Sequence, residues 1–223
     1  MELIFLKIGN CTIKGIIFDL DGTLFDSCDL WHKIDIAFFK EHNLELPLDY
    51  SENIAHLAID KVALYTKERF GLKESVEDIQ RFWDEMALKA YEKEVELKPH
   101  VKAYLNYLKE NNITLAIATA NQTKYYMPCL ERHNITDYFS HIYDVNTFNG
   151  GKDSPEIYLQ IANDMGYDLK EIAVFEDIPR ALKTAKDAGF YTVAVHDNTQ
   201  DKLKDLKADI ADKYIYSYEE LYD

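Results

Sequence analysis

The chain has 223 residues, 47% hydrophobic and 13% aromatic, enough for one large domain or for a domain with a smaller insert. Its formal net charge of −15 argues against nucleic acid and anionic membrane surfaces as partners, because both bind basic faces. No run approaches the roughly 20 apolar residues of a membrane span. Three scattered cysteines, Cys11, Cys28 and Cys129, are typical of a reduced protein, so we expect a cytoplasmic enzyme.

Five apolar runs predict β-strands, and helical patterns follow the later ones. The runs are residues 14–18, 113–118, 141–145, 172–175 and 191–195. Pro155 opens one of the helices and Gly166 closes it, while Pro179 and Gly189 bound another. Strands that alternate with helices imply parallel strands joined by right-handed crossovers. The fold class is therefore α/β, with a doubly wound parallel sheet.

Three segments fit this alternation less well. Residues 1–11 are either an extra edge strand or a loose extension. Pro128 falls inside the helical pattern of residues 123–134, which predicts a kink or a late start. The tyrosine-rich tail, residues 212–223, predicts a last strand and a helix packed on the sheet.

About 70 residues between the first and second strands contain at least three helical patterns and no convincing strand. One of the helices starts at a capping box formed by Ser75 and Asp78. A crossover needs only a dozen or so residues, so the surplus predicts an inserted helical domain. We place the core domain in residues 1–27 and 98–223 and the insert in residues 28–97. An insert at this point can act as a lid.

Two of the apolar runs end in paired carboxylates, Asp19 with Asp21 and Glu176 with Asp177. Ligand chemistry in parallel sheets is built at the carboxyl ends of the strands, so neighbouring strands would crowd four carboxylates together. Like charges about 4 Å apart repel by roughly 4 kcal/mol at an effective dielectric of 20. Such a cluster must take up protons or hold a cation, and we predict a cation.

The segment Asp19-Leu20-Asp21-Gly22-Thr23 resembles the first signature of the haloacid dehalogenase superfamily of aspartate-nucleophile phosphatases. The other three signatures follow in the family's order, at Thr119, at Lys152 and at the pair Glu176-Asp177. The resemblance spans essentially the whole chain and includes the position of the helical insert. It is strongest to the phosphoglycolate phosphatase and β-phosphoglucomutase-like subfamily with a helical cap.

The resemblance implies a role for each matching residue. Asp19 would attack phosphorus and form an aspartyl-phosphate, while Asp21 would protonate the leaving oxygen and then deprotonate the attacking water. Gly22 would permit the tight turn that keeps the backbone near the phosphate. Lys152 would neutralise the transition state. Thr119 would hydrogen-bond a phosphate oxygen together with the backbone N–H groups of Ala120 and Asn121.

Magnesium is the cofactor that these hard carboxylate oxygens favour. We expect Asp19, Asp21 and Asp177 as direct ligands of the ion. In the family pattern the backbone carbonyl of Asp21 also coordinates it. Glu176 is expected either as a ligand or as a residue that contacts the ligands. Four carboxylates, Lys152, one divalent ion and a proton on Asp21 sum to about zero. A phosphate dianion could then enter the site without strong repulsion.

The resulting prediction is a Mg²⁺-dependent phosphatase that acts on a small phosphorylated metabolite, as a monomer or weak homodimer. A β-phosphoglucomutase-like mutase is the alternative. Such mutases, however, tend to have valine at the position of Thr23 and histidine at the position of Trp31. A phospho-accepting signalling domain and a non-catalytic relative that only binds are rival hypotheses. His56, in the segment where relatives carry a specificity loop, is a candidate substrate contact. Asp153 departs from the proline that relatives have after the lysine.

Overall fold

A computed structural model describes residues 6–9, 11–54, 59–144 and 151–222 of the chain. The chain divides into two compact units. One consists of Met1–Cys28 with Val95–Asp223, and the other is Asp29–Glu94.

The first unit is built on parallel strands. Its strands are β1 (Leu6–Ile8), β2 (Cys11–Ile13), β3 (Gly15–Phe18), β4 (Thr114–Thr119), β5 (His141–Asp144), β6 (Ile172–Glu176), β7 (Tyr191–Val195) and β8 (Lys213–Ile215). The main sheet has the order β5-β4-β3-β6-β7-β8, with every neighbouring pair parallel. The chain builds outward from β3 on one side and then crosses to β6 on the other. This reversal confirms the predicted doubly wound α/β fold and leaves a crevice at the carboxyl ends of β3 and β6.

Helices of both units complete the architecture. The second unit holds α1 (Leu30–Glu41), α2 (Tyr50–Ile54), α3 (Ile59–Phe70) and α4 (Val76–Lys93). The first unit holds α5 (Val101–Glu110), α6 (Thr123–Arg132), α7 (Glu156–Met165), α8 (Pro179–Ala188) and α9 (Lys204–Ile210). No helix in the described part of the chain combines the length and the apolar character that crossing a membrane requires.

The strands that lead into the crevice are buried on both faces. On one face, Phe18 and Phe175 pack at 4.8 Å between ring centroids, and Tyr218 stacks on Phe175 at 6.0 Å. On the other face, Ile17 and Val174 belong to an apolar cluster with residues of α7. Each of these side chains has at most 1% of its surface exposed. Side chains at the strand ends therefore project from a closely packed base.

The insert has a core of its own. Ser75 caps α4 through the predicted capping box, in which its hydroxyl accepts from the N–H of Asp78 at 3.0 Å. Phe38 of α1 packs edge-on against Trp83 of α4, with 5.5 Å between ring centroids. Asp29–Glu94 is thus a compact helical unit of four helices within the described residues, where the sequence predicts at least three.

Three segments differ in detail from the sequence-based predictions. The described part of the N-terminal extension pairs with β2 in an antiparallel hairpin, so β1 is not an edge strand of the main sheet. Helix α6 begins at Thr123 and contains Pro128, which rules out the late start. The tail forms the predicted last strand, β8, and the helix that follows it is a short 3₁₀ helix, Tyr218–Leu221.

Candidate active site

Strand register brings Asp19 and Glu176 side by side. Phe18 of β3 pairs with Phe175 of β6, and the N–H of Asp19 continues the ladder by donating to the Phe175 carbonyl at 3.0 Å. The two acidic residues therefore follow paired positions on adjacent parallel strands. Both side chains are buried, at 5% and 0% exposure. Two carboxylates far apart in sequence thus share one end of the sheet.

Lys152 bridges these two carboxylates. Its ammonium donates to Asp19 Oδ1 and, at 2.7 Å, to Glu176 Oε2. The lysine lies in a short 3₁₀ turn, Gly151–Asp153, just before α7. The neighbouring Asp153 points to a different partner, because its carboxylate accepts from Arg180 Nε at 2.6 Å. The departure from the family pattern at this position therefore leaves the charge of Lys152 to the site.

Asp177 completes an acidic cluster. Carboxylate oxygens of Asp19, Glu176 and Asp177 lie within 4.8 Å of one another, and all three residues are buried. Oδ1 of Asp177 is buried without a hydrogen-bond partner among the described residues, whereas Oδ2 accepts from Gln200 Nε2 at 2.6 Å. One oxygen of this carboxylate is therefore held and the other is available as a ligand atom.

Burial makes the ionised forms of these carboxyl groups costly in the absence of a cation. Burial, followed by the neighbouring charge of Glu176, raises the pKa of Asp19 to about 7. Burial also raises the pKa of Glu176 to about 7 and that of Asp177 to about 6. Although burial alone would lower it, the charges of Asp19 and Glu176 raise the pKa of Lys152 well above its ordinary value. The lysine is firmly cationic, and one such charge does not compensate three buried carboxylates.

Asp21 lies in a different environment from the other acidic residues. Its Oδ1 accepts from the Ser27 hydroxyl at 2.6 Å and its Oδ2 from Asn121 Nδ2 at 2.8 Å. Its carboxylate is not a member of the three-residue cluster found among the described residues. The geometry therefore favours a side chain held by hydrogen bonds over the direct carboxylate ligand expected from the sequence.

The remaining predicted site residues lie at the ends of β3 and β4. Thr119 is the last residue of β4, fully buried, and its hydroxyl accepts from the N–H of Asn121 at 3.0 Å. Ala120 is exposed beside it. Gly22 has a φ of +79°, and an added Cβ would lie 2.6 Å from Cys28 Sγ. Glycine is required here both by the backbone conformation and by the lack of space.

The donor set fits a magnesium ion. Mg²⁺ prefers oxygen ligands and is commonly held by one or two carboxylates, with phosphate and water completing the shell. Buried carboxylates need a partner charge, and Oδ1 of Asp177 has no hydrogen-bond partner among the described residues. Asp19 and Asp177 are the carboxylates best placed to hold the ion, because both oxygens of Glu176 are engaged: Oε2 by Lys152, and Oε1 by backbone N–H groups.

Three residues near the site escaped the sequence-based interpretation. The Ser27 hydroxyl donates a hydrogen bond to Asp21. Gln200 bonds Asp177. Lys98 donates to the carbonyl of Gly22 at 2.8 Å. A polar residue every few positions in loops is ordinary, so no motif marks any of the three. Of the predicted candidates, His56 falls outside the described residues.

Comparison with known proteins places this arrangement in a family. A family model described as haloacid dehalogenase-like hydrolase matches residues 16–195. The Bacillus subtilis (strain 168) protein named "Putative phosphatase YhcW" is 30% identical over 82% of this chain and 83% of its own length. The phosphoglycolate phosphatase of Salmonella choleraesuis (strain SC-B67) is 26% identical over 82% of this chain and 81% of its own.

A solved structure shares the fold. The Thermotoga maritima protein titled "putative beta-phosphoglucomutase" superimposes with a TM-score of 0.81 at 23% identity, covering 94% of this chain and 97% of that one. The family model matches most of the chain, and the resemblance seen in the four signatures is confirmed. The chain belongs to the haloacid dehalogenase-like hydrolases.

Proposed function

We propose that this hydrolase is a Mg²⁺-dependent phosphatase that hydrolyses a small phosphorylated metabolite through an aspartyl-phosphate intermediate. The observation that carries the proposal is the convergence of Asp19, Glu176, Asp177 and Lys152 at one end of the sheet. The coarser statement, a phosphoric monoester hydrolase, follows from the family and from relatives named as phosphatases.

The first step forms the covalent intermediate. An oxygen of Asp19 attacks phosphorus, the phosphorus–oxygen bond to the alcohol breaks, and Asp21 gives its proton to the departing oxygen. Ser27 and Asn121 hold one oxygen each of the Asp21 carboxyl group. These two contacts hold the Asp21 carboxyl group in one orientation. Asn121 follows the end of β4, where the phosphate is proposed to bind, so the Asp21 carboxyl group is held beside that position.

The second step releases phosphate. Asp21, now ionised, takes a proton from water, whose oxygen attacks phosphorus and frees the Asp19 carboxylate. Lys152 remains hydrogen-bonded to the carboxyl groups of Asp19 and Glu176, and its positive charge offsets negative charge on the phosphoryl oxygens in both steps. Thr119 and the N–H of Ala120 would supply uncharged contacts to those oxygens, and the N–H of Asn121 would join them by leaving the Thr119 hydroxyl.

A bound Mg²⁺ would supply positive charge that lowers the barrier to attack on phosphorus. Asp19 and Asp177 would hold it, together with the backbone carbonyl of Asp21. Glu176 orients Lys152, and its Oε1 accepts the N–H groups of Asp177 and Ile178, both at 3.1 Å. Those two contacts fix the backbone that carries Asp177.

The insert, residues 28–97 in the sequence-based division, is proposed as a cap that selects the substrate. His56 stays a predicted substrate contact, and a cytoplasmic location with a monomeric or weakly dimeric state stays a prediction as well. Relatives named for phosphoglycolate and glycerol 3-phosphate point to small phosphorylated acids and polyols for a substrate panel.

Turnover of p-nitrophenyl phosphate tests the proposal. We expect phosphate release with Mg²⁺, its loss with a chelator, and its loss in Asp19→Asn. Asp187→Asn is a matched control, because its carboxylate lies exposed on α8 in a pair with Lys183; it should retain wild-type turnover. An unchanged rate in Asp19→Asn would end the assignment of Asp19 as the nucleophile.

The products of the reaction distinguish a mutase from a phosphatase. A mutase should be stimulated by a bisphosphorylated sugar and release little free phosphate, whereas a phosphatase releases one phosphate for each alcohol formed. Trp31, where mutases carry a histidine, is 45% exposed on α1. An indole lacks the basic nitrogen that an imidazole offers, so we favour hydrolysis.

A further inference from the structure

One oxygen of Asp177 is held by a side chain from a distant loop. Nε2 of Gln200 donates to Oδ2 at 2.6 Å, and the Cys28 thiol is a weaker donor to the same atom at 3.7 Å. A carboxylate accepts but does not donate, so the amide nitrogen of Gln200, not its oxygen, faces Asp177. Both contacts fall on Oδ2, and Oδ1 is the oxygen without a partner among the described residues.

The loop after β7 is folded so that Gln200 reaches Asp177. Asp197 starts a 3₁₀ segment, Asn198–Leu203, by accepting from the N–H and the hydroxyl of Thr199 at 2.9 and 2.6 Å. At Gln200 the backbone leaves helical geometry, with φ −118° and ψ 23°. This break turns the side chain out of the regular path of the segment.

Lys98 connects the start of this loop to the turn at Gly22, which follows Asp21. Its ammonium donates to Asp197 Oδ2 at 2.8 Å, to the His196 carbonyl at 2.6 Å and to the Gly22 carbonyl at 2.8 Å. An ammonium has three N–H bonds, and three acceptors surround it here. The loop that carries Gln200 is therefore tied to the same turn that follows Asp21.

We propose that Gln200 is a positioning residue for cation binding, because by holding Oδ2 of Asp177 it directs Oδ1 to the metal. The inference rests on the proposed function in taking Asp177 as a metal ligand. Hydrogen-bond partners of metal ligands fix ligand orientation, and their loss typically weakens metal affinity by 10–100-fold. A single neutral amide belongs at the lower end of that range, about 10-fold.

The variant that isolates the hydrogen bond is Gln200→Met, which keeps the length of the side chain and removes the donor. Gln160→Met is its matched control, since Gln160 Nε2 donates to Asp164 Oδ1 at 2.9 Å on the exposed face of α7. Gln200→Ala is a second variant that retains less bulk. Asp177→Asn is the positive control for lost binding.

Mn²⁺ binding to the substrate-free protein, measured by electron paramagnetic resonance, gives a readout that does not depend on turnover. We expect the dissociation constant to rise about 10-fold in Gln200→Met and Gln200→Ala and to stay unchanged in Gln160→Met. The metal-free melting temperature of Gln200→Met should match that of wild type, while the rise in melting temperature on adding Mg²⁺ should shrink.

The outcomes separate this inference from the proposed function. Equal Mn²⁺ affinity in wild type and both Gln200 variants would overturn the positioning role and leave phosphatase activity untouched. Weaker affinity matched by a large fall in the metal-free melting temperature would also overturn it, in favour of a purely structural tie. Mn²⁺ binding that depends on Gln200 in a protein that releases no phosphate would support the inference and refute the proposed function.

Discussion

Replacing Gly22 by alanine should damage stability and activity together, and the structure sets the size of the effect. A φ of +79° costs an alanine about 1–2 kcal/mol relative to glycine. The added Cβ would also lie 2.6 Å from Cys28 Sγ and 2.7 Å from Asp177 Cγ, and overpacking of this kind typically costs about 1–3 kcal/mol. We therefore expect the unfolding free energy to fall by about 2–5 kcal/mol.

Gly166→Ala separates the two contributions. Gly166 belongs to the same unit and has a similar φ, +71°, but an added Cβ would meet nothing within 4 Å. Its substitution should cost about 1–2 kcal/mol, from the backbone alone. The difference between the two variants, about 1–3 kcal/mol, measures the clash at the site.

Urea unfolding of both variants, with turnover of p-nitrophenyl phosphate in parallel, tests this reasoning. Gly22→Ala should lose most of its activity, because the new methyl group displaces Asp177, and Gly166→Ala should keep it. Equal destabilisation of the two variants, or full activity in Gly22→Ala, would refute the claim that this glycine is required by the space beside Asp177.

Three further changes test the charges of the site. Lys152→Met leaves Asp19 and Glu176 buried without their cation, so thermal and urea unfolding should show a loss of about 3–5 kcal/mol; an unchanged stability would contradict the pairing. Ca²⁺ requires more ligands at longer distances than Mg²⁺, so it should inhibit phosphate release, and full activity in Ca²⁺ would count against the metal assignment. The third test concerns Asp197. Burial raises the pKa of its carboxyl group, but the hydrogen bond from Lys98 opposes burial, and that pKa is lowered to about 2. Its stabilising contribution is therefore present above pH 4 and lost as the pH falls toward 2, and Asp197→Asn should flatten this part of the stability profile in urea unfolding.

The central strands were predictable because both of their faces are buried. Residues of β3 and β6 form unbroken apolar runs, since helices cover both sides of a parallel sheet. The peripheral strands carry a weaker signal. β1 and β2 have three residues each, with partly exposed positions, and such short patterns do not distinguish a strand from an extended loop. The five-residue helix α2 escaped prediction for the same reason.

Some residues of the site were also predictable from the sequence, and their hydrogen-bond partners were not. Asp19 and Glu176 could be predicted to meet because strand ends of a parallel sheet share one edge, whatever their separation in sequence. Lys152 lies in a turn before α7, and only the family resemblance predicted that it would join them. The partners of these residues could not be predicted. Ser27 reaches Asp21, and Gln200 reaches Asp177, through loop conformations that leave no periodic pattern. The backbone at Gln200 also leaves helical geometry inside a 3₁₀ segment, and no sequence motif marks that break.

The charge balance of the site links cation binding to phosphate binding. Asp19, Glu176 and Asp177 with Lys152 give a formal charge of −2 when Asp21 is protonated, and a divalent ion brings this to zero. Each unit of uncompensated charge about 4 Å from a phosphate oxygen costs roughly 4 kcal/mol at an effective dielectric of 20. With this charge balance we expect the ion to be needed for the phosphate to enter, before any bond is broken. Linkage is reciprocal, so inorganic phosphate should tighten Mn²⁺ binding in the wild-type protein by the same factor by which Mn²⁺ tightens phosphate binding. Titrations of Mn²⁺ with and without phosphate measure that factor, and a factor of one would mean that the carboxylates are neutralised by protons and not by the metal.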